Sequence, residues 1–127
     1  RAEAFGWEAD MNYYSATKDV KNYLKAAQAY QKGEIKNNAA RLHDLVISLL
    51  RAFPGEPKVL EQAEKWSKSA AENGGLPEYY LTLAEVYKRQ GDKDKARETA
   101  EKARKAMGEK DNGMGGKIDY FIQSLEG

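Results

Sequence analysis

Apolar residues along the chain recur at spacings of three and four, and no stretch alternates residue by residue. The pattern predicts helices throughout and no strands. It is plainest in "PEYYLTLAEVYKRQGDKDKA", residues 77–96. Pro77 suits the first turn of a helix, where the amide it lacks would have no partner. Tyr80, Leu83, Ala84 and Tyr87 then fall on one helical face. Gly91 can end that helix in a left-handed conformation, and Asp92 or Asp94 can cap the next. The returning stripe, Ala96, Ala100, Ala103 and Met107, is nearly all alanine. Small residues on one helix let its neighbour come close. The spacing therefore predicts an antiparallel hairpin in which Tyr80 and Tyr87 insert over an alanine seam.

The same order returns upstream. Leu42, Leu45, Val46 and Leu49 form a stripe, "FPGEP" (53–57) breaks it, and Leu60, Ala63, Ser67 and Ala70 form the returning one before Asn73-Gly74-Gly75. Nearer the start, Phe5, Trp7, Met11 and Tyr14 give a first helix. Val20, Leu24, Ala27 and Tyr30 give a second, with Thr17 or Asp19 as cap and Gly33 as stop. Hairpins at 1–34, 39–74 and 77–110 in succession predict a repeat array, in which each unit buries its apolar face against its neighbours. "GEKDNGMGG" (108–116) reads as a flexible loop. Ile118, Phe121, Ile122 and Leu125 then predict a capping helix over 117–126. The predicted fold is all-α and single-domain.

Composition narrows the function. With 127 residues, 41% hydrophobic and 32% charged, the chain has the material for one core and is not of the disordered class. Lys+Arg number 21 against Asp+Glu 20, so the basic excess that phosphate binding demands is missing and nucleic acid is not the expected partner. The longest apolar run, Leu45 to Leu50, is interrupted by Ser48, so membrane insertion is not expected. The lack of cysteine excludes disulfides, thiol catalysis and cysteine-based metal sites. The chain opens at Arg1 without a methionine and reads as a piece of a longer protein.

Candidate chemistry is sparse. His43 is the single histidine. Asp44, next to it, points about 100° away around a helix and is poorly placed to orient the ring. A partly buried packing role is expected for His43, rather than a metal or proton-transfer role. "GMGGK" (113–117) lacks the opening glycine of a phosphate loop and has Ile118 where Ser or Thr would bind magnesium, so it reads as a link. "DKD" (92–94) lacks the glycine and closing glutamate of a calcium loop and reads as a turn and cap. Trp7 and Trp66 are expected in the core rather than as exposed anchors. The charges of 88–110 describe a solvated face with pairs such as Glu98–Lys102. No metal, cofactor or catalytic residue is expected, and the chain alone is not expected to be an enzyme.

Residues 77–110 resemble a tetratricopeptide repeat across its usual length of about 34 residues. Tyr80 stands at the family's first aromatic position, Leu83-Ala84 at its leucine–small pair and Tyr87 at its tyrosine. Gly91-Asp92 stands at the turn, and Ala96 and Ala103 at the two small positions. Ala100 replaces a usual aromatic, and Gly108 stands where proline commonly ends the unit. Residues 39–74 are similar with a longer loop, and 1–34 match in hydrophobic pattern, anchored at Ala27. The run "KNYLKAAQAYQKGE" together with "LLRAFPGEPKVLEQAEKW" is also similar to helical-repeat extensions that follow a thioredoxin-like domain in secreted bacterial proteins.

The resemblance implies a concave groove that binds a protein or peptide. Its inward helices would present Phe5, Ala9 and Tyr13, then His43, Ile47 and Leu50, then Leu81, Glu85, Lys88 and Arg89. The clamp that chaperone-binding members use is not matched, since Phe5, Ala9, Ala40, His43 and Glu78 occupy its positions. Leu81, Glu85 and Lys88, at i, i+4 and i+7, share a face turned away from Tyr80 and Tyr87. The expected function is non-catalytic protein–protein interaction. The rivals are an accessory domain behind an upstream thioredoxin-like oxidoreductase domain, and self-association. The compartment follows the resemblance: periplasmic or secreted if the extension likeness holds, cytoplasmic otherwise.

Overall fold

The structure, a computed structural model, describes residues 4–109 and 113–126, with side chains from residue 8 onward. Phe5 and Trp7, placed by the sequence on a first apolar stripe, have their side chains outside the described set. Among the described residues the chain is all-α, with seven helices and no strand. They are α1 (Ala4–Ala16), α2 (Val20–Glu34), α3 (Ala39–Ala52), α4 (Pro57–Gly74), α5 (Pro77–Arg89), α6 (Lys93–Met107) and α7 (Met114–Ser124). None of them is long and apolar enough to cross a membrane.

Local chemistry sets the helix ends. The carboxylate of Asp19 accepts the amide of Asn22, Asn38 accepts that of Arg41 and Asp92 that of Lys95, each satisfying an amide in the first turn. The side-chain amide of Asn22, followed by its backbone N–H, holds the Asp19 carboxyl below the usual carboxylate range. Pro57 and Pro77 open α4 and α5. Gly75 and Gly91, with φ of +71° and +88°, turn the chain where a side chain would be strained.

Packing then orders the helices. α1 packs on α2, α3 on α4 and α5 on α6, while α4 also meets α5, and α7 meets both α6 and α5. A first core runs from Met11 of α1 to Tyr79 and Val86 of α5 and takes in Trp66, which is buried as expected. A second core joins Leu83, Ala84 and Tyr87 to Ala96, Ala100 and Ala103 and to Ile118, Phe121 and Leu125. Half-buried Tyr80 touches both.

Helix α5 is thus buried on two sides, and this corrects the single-stripe reading. Tyr79, adjacent to the expected Tyr80, is the more deeply buried ring, because a helix between two layers needs apolar residues on both. Two other buried residues lie where the sequence suggested only breaks. Ile35 follows α2, which runs through Gly33 rather than stopping there. Phe53, in the 53–57 loop, meets Tyr23 edge-on at 5.1 Å between ring centroids. Burial pushes the Tyr23 phenol up to about 12.

The last helix starts at Met114, not at residue 117, so "GMGGK" enters α7 rather than linking to it. Glycine is a poor helix former, but Gly115 is buried and packing outweighs propensity here. In place of the expected Glu98–Lys102 pair, the ion pairs of α6 lie within it, across to α7 and to Glu126 just after α7. Arg104 bridges Glu101 at 3.0 Å and Asp119 at 2.9 Å, and Arg97 reaches Glu126 at 3.6 Å.

Candidate interaction surface

Side-chain contacts link α3 to α5, and α5 to α7. Between α3 and α5, His43 Nε2 lies 2.7 Å from Thr82 Oγ1, and the His43 ring leans on Tyr79 with 4.6 Å between centroids. Burial holds the His43 pKa below its ordinary value, opposed by the nearby carboxylates of Asp44 and Glu78. A neutral imidazole suits this packed position, and Asp44 makes no hydrogen bond to the ring.

Arg89 is a brace between the same two helices. Its Nη1 donates to the carbonyls of Leu50 and Pro54 at 3.3 and 3.4 Å, and its Nε donates to Glu85 at 2.8 Å. Carbonyls at the end of α3 have no partner within the helix, and the guanidinium supplies one. The guanidinium that the resemblance placed on an inward face is therefore committed inside the chain. Leu50 requires a second correction. It is only 6% exposed and belongs to the first core, because α4 covers the flank of α3 on which it sits.

Between α5 and α7, Lys88 Nζ donates to Ser124 Oγ at 3.0 Å and lies 5.7 Å from the centre of the Phe121 ring. Ser124 Oγ donates in turn to the Phe121 carbonyl at 2.6 Å. A groove of about 370 Å³ runs between these helices, lined by Leu81, Glu85, Lys88, Met114, Lys117 and Phe121. Tyr120, 75% exposed, stands on its rim.

Of the residues expected on an inward face, His43, Ile47, Leu81, Glu85 and Lys88 are half-buried on α3 and α5. Ala9 and Tyr13 of α1 are exposed, while Phe5 lies outside the described side chains. Thr82 and the residues of α7 were missed. Thr82 carried no signal in a run read for apolar spacing. The α7 stripe did carry one, since Phe121 and Ile122 side by side are too broad for a single contact face. Among the described residues no three of His, Cys, Asp and Glu stand together as metal ligands. Compared with known proteins, the chain matches no family model, no curated relative and no solved structure.

Proposed function

We propose that the chain is a tetratricopeptide-like array, with hairpins α1–α2, α3–α4 and α5–α6 closed by α7, and that it works as a non-catalytic protein-interaction module. The observation that carries the reading is the shared face of α3 and α5. There Ile47 and Leu81 stay partly exposed beside Glu85 and Lys88, in a register held by the 2.7 Å His43–Thr82 contact. A half-exposed apolar strip with a charged border suits a peptide or protein surface better than a small molecule. Exposed Tyr120, on the adjoining groove between α5 and α7, adds large contact area at low entropic cost.

The double variant Ile47→Arg/Leu81→Glu tests it. Both side chains are only partly buried, so helicity and melting should stay near those of the parent, while cross-linked partners identified by mass spectrometry should be lost. Unfolding of the double variant would make the strip core, and undiminished cross-linking would move the interaction elsewhere. Light scattering at rising concentration separates a foreign partner from a second copy of the chain.

A further inference from the structure

The charges around the α5–α7 groove are unequally committed. Glu85 is held by Arg89 at 2.8 Å, and Arg89 is itself anchored on the carbonyls that end α3. Lys88 has no carboxylate partner among the described residues. One of its three N–H donors goes to Ser124, and its stem is fixed over Phe121. The ammonium is thus held in place at one end of the groove, with donors to spare. Glu78 and Lys117 line the opposite end, with the apolar floor of Leu81, Met114 and Phe121 between.

We propose that this groove takes an extended internal segment of a partner protein, with an acidic side chain on Lys88 and a large apolar side chain on Leu81 and Phe121. The inference rests on the interaction-module reading and names the partner's chemistry. Charge complementarity selects the acid. A cation already positioned and short of a counter-ion loses little entropy on meeting one. The dimensions select the spacing. Leu81 and Lys88 are seven residues apart on one helix, about 10 Å at 1.5 Å per residue. An extended chain covers that distance in about three residues at 3.3 Å each. The groove's volume of about 370 Å³ seats a few side chains rather than the whole face of a helix. Tyr120, on the rim, closes over the apolar residue.

The test uses end-blocked synthetic peptides that carry one leucine and one aspartate at varied separations in a Ser/Gly background. They are titrated into the full chain labelled with ¹⁵N and followed by amide chemical shifts. The tightest binding is expected at a separation of three, with shifts on α5 and α7. Changing the peptide's Asp to Asn, or Lys88→Met in the protein, should each weaken it about tenfold. Methionine keeps the apolar stem over Phe121, and an unchanged melting curve verifies the fold. Lys117→Gln should change affinity less than about twofold, as exposed charges at a polar end contribute little. Binding indifferent to the Asp→Asn change or to Lys88→Met would overturn the assignment of the acid to Lys88 while leaving the α3–α5 face as an interaction surface. The best peptide is also made with a free C-terminus, and binding by that form alone would overturn the internal segment. Silence with every peptide would overturn the groove proposal as a whole, and the cross-linking result above would then decide the broader reading by itself.

Discussion

Replacing Gly74 with alanine should destabilise the protein, while the same change at Gly33 should stabilise it. Both glycines are helical, at the ends of α4 and α2, and neither has a positive φ. Alanine is the better helix former by about 1 kcal/mol in a helix interior and by less near an end. At Gly33 an added Cβ meets nothing within 4 Å, so the gain stands, at roughly 0.5 kcal/mol. At Gly74 the Cβ would lie 2.5 Å from Cε2 and 2.8 Å from Cδ2 of Tyr79, and 3.0 Å from Cβ of Ala39. Carbon atoms rest at about 3.5–4.0 Å, so the ring must retreat by about 1 Å. It has nowhere open to go, being 7% exposed and stacked on His43 at 4.6 Å. Overpacking of this kind costs roughly 1–3 kcal/mol, which exceeds the propensity gain. For a chain of this length, each kcal/mol moves the melting temperature by about 3–5 °C. Thermal unfolding by circular dichroism should therefore place Gly74→Ala several degrees below the parent and Gly33→Ala slightly above it. In a Tyr79→Leu background the Gly74→Ala penalty should shrink, because the obstructing ring is gone. A Gly74→Ala protein that melts at or above the parent, or a penalty unchanged without the ring, would refute the reasoning.

Two further outcomes follow from the packing. Ala96 is fully buried in the α5–α6 seam, so Ala96→Leu should cost roughly 1–3 kcal/mol. Lys95→Leu beside it loses little more than the ammonium's 5.6 Å approach to the Tyr87 ring, less than about 1 kcal/mol; equal melting temperatures for the two variants would sink the seam. Burial lowers the folded-state pKa of His43 below its ordinary 6.5, so the unfolded chain binds the extra proton as pH falls. That contribution to stability is present above about pH 6.5 and lost on acidification towards the folded pKa. His43→Gln, whose amide can still meet Thr82, should flatten the fall in melting temperature between pH 7.5 and 5.5, and identical slopes for the two proteins would count against a buried neutral ring.

The sequence by itself determined the helical class and most helix boundaries, because these depend on neighbours a few residues apart. Asp19 and Asp92 cap through their own next turn, Pro77 needs only the first-turn geometry, and Gly91 turns because it lacks a Cβ. The alanine seam was legible for the same reason, since period and size are properties of one helix at a time. Tertiary structure alone decided which faces are covered. Helix α5 meets α4 on one side and α6 and α7 on the other, so Tyr79 joined the core beside half-buried Tyr80. Leu50 left the surface because it lies in the core formed with α4. Arg89 and Lys88, adjacent and alike in the sequence, were separated by what lay opposite: the open carbonyl end of α3 for one, and the hydroxyl of Ser124 on α7 for the other. Charge and spacing are written in the chain, but whether a charged group is already satisfied depends on residues some 36 to 39 positions away that only folding brings near.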